Sequence, residues 1–169
     1  MNLLILDGAT NGSPITDLLT EIVSPKDYKP EVFRLHNMTV APCMGCFGCW
    51  VSTPGICVID DSGRMLATRF MSSDLVVMIT PITFGGYSSH MKKALDRLIP
   101  LILPFFTTLQ GETHHQRRYT RYPRILTIGT TAGNNPASVN AFQRLMSRTA
   151  LNLPTDASFF ATLDTACPS

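Results

Sequence analysis

The chain has 169 residues, a formal net charge of +2, 15% charged residues and 44% hydrophobic residues. That length supports one domain with a full core and needs no disulfide staples. The weak charge argues against a nucleic-acid partner, and no apolar run is both long enough and free enough of proline to read as a membrane span.

Residues 2–6 are a short continuous apolar run, the pattern of a central parallel strand covered on both faces. No basic region precedes the run and it ends on Asp7, unlike a secretion signal, so a cytoplasmic protein is expected. A small-residue loop follows over 8–13. Ser13 and Pro14 then supply the N-cap and first-turn proline of a helix with Ile15, Leu18, Leu19 and Ile22 on one face. In that order, strand, loop and helix N-terminus favour an anion, because backbone N–H groups point into the loop and Thr10, Ser13 and Thr16 add hydroxyls. By itself the loop is equally an ordinary turn.

Residues 24–30 are polar and proline-bearing, and 31–35 read as a second strand. The loop after it holds four of the five cysteines, Cys43, Cys46, Cys49 and Cys57. Three cysteines at intervals of three and a fourth beyond a Pro-Gly turn can aim four thiolates at one point, and tight C-x-x-C-x-x-C runs are an iron-sulfur spacing. A reducing compartment favours ligands over disulfides. Zinc, a reversible dithiol and cysteines that bind nothing remain the alternatives.

Asp60, Asp61 and Ser62 predict the cap of a helix through Met65, Leu66 and Phe70, and 75–80 is the clearest buried strand. The loop behind it is stiffened by Pro81, and Gly85 and Gly86 let backbone approach a flat ligand beside the aromatic surfaces of Phe84 and Tyr87. A helix with Met91, Ala94, Leu95 and Leu98 inward comes next. Two such loops on adjacent strands define a topological switch point. Residues 100–123 show no clear periodicity and predict a solvated loop or subunit contact; His114 and His115 are adjacent, not at a helical ligand spacing, and are not assigned to a metal. Residues 125–129 predict a fourth strand, 130–134 a third small-residue loop, Asn135 and Pro136 the start of a helix with Val139, Phe142, Leu145 and Met146 inward, and 157–163 a fifth strand. With no helix after it, one sheet edge or face is expected to be covered by a partner subunit or by the stretch before Arg124. No role is assigned to Cys167.

The expected architecture is a single α/β domain over 1–169, a three-layer sandwich on a five-stranded parallel sheet of order 2-1-3-4-5. The cysteine run with Asp60 and Asp61, followed by Asp74, Thr80-Pro81-Ile82 and Met91-Lys92-Lys93-Ala94-Leu95-Asp96-Arg97, resembles the NAD(P)H-dependent FMN reductase superfamily, nearest to its iron-sulfur flavoproteins. The resemblance implies a flavodoxin-like fold that binds FMN, with Thr10, Asn11, Ser13 and Thr16 near the phosphate. It places Pro81, Ile82, Thr83, Phe84, Gly85 and Gly86 along the ring and Thr131, Ala132 and Gly133 at its far edge. It also implies a 4Fe-4S cluster on Cys43, Cys46, Cys49 and Cys57, NAD(P)H as co-substrate, a small-molecule or protein electron acceptor and a homodimer or homotetramer. No side chain is expected as a catalytic nucleophile or base, since the chemistry belongs to the flavin. Two positions depart from the family pattern: the first loop lacks its usual arginine, and Thr83 stands where an aromatic residue is common. A metal-binding or redox-sensing module without flavin is the alternative expectation.

Overall fold

The computed structural model describes residues 1–24, 29–133, 135–155 and 157–165. Residues 25–28, Asn134 of the third loop and Cys167 lie outside the described residues. Five parallel strands form the sheet: β1 (Asn2–Asp7), β2 (Lys29–Arg34), β3 (Leu75–Pro81), β6 (Arg124–Thr131) and β7 (Ser158–Asp164). Their order is β2-β1-β3-β6-β7, the predicted 2-1-3-4-5 once the sheet strands alone are counted. The strands β4 (Ile102–Leu109) and β5 (Glu112–Arg117) form a separate antiparallel hairpin.

β1 and β3 are buried along nearly their whole length, and successive residues alternate between two apolar clusters because strand side chains have period two. Leu4, Leu6, Val76 and Met78 face α3 (Ser62–Ser72), α4 (Ser89–Asp96) and α5 (Pro136–Asn152), which contribute Leu66, Phe70, Met91 and Phe142. Each fully buried side chain of this kind stabilises the fold by about 1.5–3 kcal/mol. On the opposite face Leu3, Ile5, Val77, Ile79 and Ile128 pack under α1 (Pro14–Val23) through Ile15, Leu19 and Val23. Beyond α1 that face is open among the described residues, with Phe159 and Leu163 of β7 exposed.

The helix starts follow the capping rules. Ser13 Oγ accepts from Ile15 N–H, Asp61 from Gly63 N–H and Asn135 from Ser138 N–H, with Pro14 and Pro136 in the first turns. The hairpin departs from the expected loop. Its turn puts Gln110 and Gly111 at φ +52° and +79°, and most residues of β4 are solvated, so no alternation of apolar and polar residues announces it. Tyr122, buried at its base, donates to Leu101 O and accepts from Arg118 N–H. The hairpin packs against α5 through His114 and Asn152, and its guanidiniums tie it to the body: Arg117 to Pro154 O, Arg118 to Pro100 O. The stretch before Arg124 therefore lies on the α5 side and leaves the face beside α1 uncovered. No helix among the described residues is long and apolar enough to cross a membrane.

Candidate functional site

Three loops leave the carboxyl ends of β1, β3 and β6 and are stitched into one edge. Gly8 N–H donates to Ile79 O and Ser88 Oγ to Gly8 O, joining the first loop to the second; Ile82 N–H donates to Thr130 O, joining the second to the third. The contact at Gly8 is close enough that a Cβ there would stand 2.9 Å from Met91 Cβ and from Ser88 Oγ. Glycine is what allows the two loops to meet.

In the first loop Thr10 and Asn11 are exposed and make no hydrogen bond among the described residues, so their donors are available. Ser13 and Thr16 are buried, and Ser13 N–H and Thr16 Oγ1 donate to Asp7 while Thr16 N–H donates to Ser13 O. One Asp7 oxygen, Oδ1, accepts from Ala9 N–H at 2.9 Å; the other, Oδ2, accepts from Ser13 N–H at 2.7 Å, Thr16 Oγ1 at 2.8 Å and Arg34 Nη1 at 3.3 Å. Arg34, at the end of β2, lies over Gly12, where a Cβ would be 3.0 Å from Nη1, and also bonds Asp17 at 2.5 Å. His36 borders the same glycine, and its buried Nδ1 has no partner. The structure thus brings a guanidinium and an imidazole to a loop that has neither in sequence. No local signal marked them, because register between β1 and β2 places them there.

In the second loop Thr83 and Gly86 exchange reciprocal backbone hydrogen bonds around Phe84 and Gly85. Both central residues have positive φ, +50° and +74°, a conformation rare for phenylalanine, and the Phe84 side chain is wholly exposed. The backbone N–H groups of Phe84 and Gly85 have no partner among the described residues. Of the two aromatics expected as ligand surface only Phe84 faces outward. Tyr87 is buried edge-on against Phe142 and donates to Thr149 Oγ1, and burial pushes its hydroxyl up to about 12 despite that bond. Pro81 and Ile82 lead into this turn. In the third loop Thr131 Oγ1 donates to Gly133 O, and Gly133, at φ +92°, has open space on its Cβ side while its N–H is held by Asp164. Ala132 is exposed between them. Open backbone donors, an outward aromatic and unfilled space beside Gly133 suit a flat heteroaromatic ring. The first loop suits an anion only through Thr10, Asn11 and the Arg34–His36 side.

The cysteine loop lies beyond β2 and contains the one-turn helix α2 (Gly48–Val51). Cys43 and Cys46 are exposed, Cys49 is buried and Cys57 half-buried, and all four are free thiols. Burial raises the Cys49 thiol, repulsion from Cys57, Cys43 and Cys46 raises it further, and all four cysteines line one cavity. Even so, among the described residues no group of three or more His, Cys, Asp or Glu side chains closes to metal-ligand geometry. The donor set is right for a soft metal; the convergence is incomplete.

Arg97 underlies this loop with its side chain fully buried. It forms a bidentate pair with Asp61 at 2.7 and 2.8 Å and donates to Ala41 O and Ile59 O, which flank the cysteines on either side. Burial alone would raise the Asp61 carboxyl, but hydrogen bonds from Arg97 and from the N–H groups of Ala41 and Gly63 hold it at about 2. A cavity of about 870 Å³ opens beside the loop, walled by the cysteines, α4, α5 and the hairpin. Along it run Phe47, Trp50, His115 and Phe106, with successive ring centroids 5.5, 4.9 and 4.9 Å apart. Among the described residues this cavity shares only Tyr87 with the second loop and is lined by none of the first or third.

A five-stranded flavodoxin-like sheet with three open loops at one carboxyl edge defines a class of flavin-associated α/β domains. The chain belongs to the NADPH-dependent FMN reductase family, whose model matches residues 1–152. It is 28% identical over 83 residues to an iron-sulfur flavoprotein of Methanocaldococcus jannaschii, covering 49% of this chain and 42% of that protein. A second iron-sulfur flavoprotein, of Archaeoglobus fulgidus, is 26% identical over 96 residues, covering 53% of this chain and 46% of that one. The chain thus spans less than half the length of either curated relative. Among solved structures it resembles the NAD(P)H:quinone oxidoreductase from Methanothermobacter marburgensis, with a TM-score of 0.70 at 13% identity over 100% of this chain and 89% of that one. This last likeness concerns the fold.

Proposed function

We propose that the chain is an FMN-dependent oxidoreductase that takes electrons from NAD(P)H and passes them to a small-molecule or protein acceptor. The observation that carries this is the convergence of three loops on one sheet edge, with the Phe84 and Gly85 N–H groups of the second unpartnered among the described residues, in a chain of the FMN reductase family. Thr10 and Asn11 would hold the phosphate side, with Ser13 and Thr16 behind them. Pro81, Ile82, Thr83, Phe84, Gly85 and Gly86 would lie along the ring, and Thr131, Ala132 and Gly133 at its far edge. Bound FMN supplies hydride acceptance and electron release in one or two steps. The chain's own contribution is to orient the ring and exclude water over it. Anaerobic reconstitution with FMN should yield a flavin absorbance band that NADPH bleaches; a protein left colourless refutes the assignment.

A second, finer reading concerns Cys43, Cys46, Cys49 and Cys57. A 4Fe-4S cluster there is supported by the spacing, by the placement of all four cysteines along one cavity and by partial likeness to two proteins named iron-sulfur flavoproteins. Arg97 would then anchor both flanks of the cluster loop. About four iron and four sulfide per chain after anaerobic purification is the expected result; stoichiometric zinc without iron would replace it. We also expect a cytoplasmic homodimer or homotetramer, with Leu18, Ile22, Phe159 and Leu163 as apolar surface to be covered. Sedimentation of a monomer at micromolar concentration would exclude that assembly.

A further inference from the structure

We infer that Asp7 is a specificity determinant of the flavin site: its carboxylate occupies the anion position of the first loop and suppresses selection for the flavin's phosphate. This rests on the flavin reading above and concerns which flavin the site prefers. At the start of α1 a phosphate would ordinarily be met by free N–H groups, nearby hydroxyls and the positive end of the helix dipole. Here those groups already have an anion. Asp7 is completely buried and accepts from Ala9 N–H, Ser13 N–H and Thr16 Oγ1, so three donors suited to a phosphate are spent on a side chain of the same chain.

A phosphate arriving at Thr10 and Asn11 would also sit beside a buried negative charge. Like charges a few ångströms apart in a poorly solvated site disfavour one another strongly. The groups facing the loop do little to reverse this. Arg34 divides its guanidinium between Asp7 and Asp17, and His36 contributes a buried Nδ1 without a partner. Two carboxylates and one guanidinium leave the loop's surroundings short of positive charge. The ring loops are independent of Asp7, so affinity for the isoalloxazine should persist where affinity for the phosphate does not.

The test compares FMN with riboflavin, which has the ring but no phosphate, by titrating flavin fluorescence against the whole chain. In the wild type FMN should bind no more than about tenfold tighter than riboflavin. In Asp7→Asn, which keeps the shape and removes the charge, FMN should tighten at least about tenfold while riboflavin moves less than about threefold. An FMN preference above about a hundredfold in the wild type, or an unchanged FMN-to-riboflavin ratio in Asp7→Asn, overturns the inference. Equal weakening of both flavins in that variant overturns it too, since Asp7 would then only shape the loop. If Asp7→Asn does not fold, the half-exposed Arg34 gives a second variant: Arg34→Gln leaves Asp7 unbalanced and should weaken FMN at least about fivefold with riboflavin unaffected. No effect on FMN there overturns the proposal. Absence of binding by both flavins to every variant would mean that the flavin site itself is wrong, and the inference falls with it.

Discussion

Two aspartate–arginine pairs sit beneath the two regions that matter in this molecule, and they are built differently. Asp61 and Arg97 meet in a bidentate pair whose side chains are 9% and 0% exposed, and their further contacts go to Ala41 and Ile59 at the ends of the cysteine loop and to Gly63 in the next helix. Asp7 and Arg34 meet through one oxygen at 3.3 Å, and Arg34 is 33% exposed and shared with Asp17. The first pair is closed and holds both ends of the cysteine loop at Ala41 and Ile59. The second is open on one side, which suits a group that has to respond to a ligand. Burial and bidentate geometry separate a structural ion pair from an adjustable one, although the two use the same residue types.

The contrast is broken most severely at Arg97. Arg97→Met leaves Asp61 buried without its partner and should cost about 3–5 kcal/mol in urea unfolding, with Cys43 and Cys46 becoming faster to label as the loop loses its anchors at Ala41 and Ile59. A loss below about 1 kcal/mol would show that the pair is dispensable. Acid should produce the next largest effect. The Asp61 carboxyl lies near 2 in the folded chain against an ordinary 3.8, so its contribution is present above the unfolded value and is lost as pH falls through the folded one. About 2 kcal/mol of stability should therefore disappear between about pH 5 and pH 2, and Asp61→Asn should flatten that part of the profile. An unchanged slope in Asp61→Asn would assign the acid sensitivity elsewhere.

Smaller effects are expected at the first loop. Thr16→Val removes one hydrogen bond to the buried Asp7 carboxylate and should cost about 1–2 kcal/mol by thermal or urea unfolding. Arg34→Gln, at a half-exposed pair, should change stability by less than about 1 kcal/mol. Should Arg34→Gln destabilise the chain as much as Arg97→Met, the distinction between a closed and an adjustable pair would be lost.

Much of the fold was legible because it depends on local rules. Continuous apolar runs such as 75–80 mark parallel strands buried on both faces, and Ser13-Pro14 and Asn135-Pro136 mark helix starts by the chemistry of their free N–H groups. The hairpin Ile102–Leu109 and Glu112–Arg117 was not legible. Its surface is solvated on both sides along most of β4 and its turn uses Gln110 where an asparagine or glycine would have signalled it. Of the candidate site, the loops were found from their small residues and glycines, and Phe84 was placed correctly at the surface. Tyr87 was not, because one aromatic in a loop looks like another until the packing of Phe142 and Thr149 is known.

By itself the amino-acid pattern determined the alternation of strands and helices, the small-residue loops after three of the strands and the grouping of four cysteines in one loop. These follow from periodicity, capping and spacing, which act between residues close in the chain. Only the tertiary structure decided that Asp7 fills the first loop, that Arg34 and His36 border it and that Arg97 pins the cysteine loop at Ala41 and Ile59, 56 and 38 positions away. Those contacts are made by long polar side chains reaching across adjacent strands and helices. Strand register and burial set them, and neither is recorded in the spacing of residues along the chain.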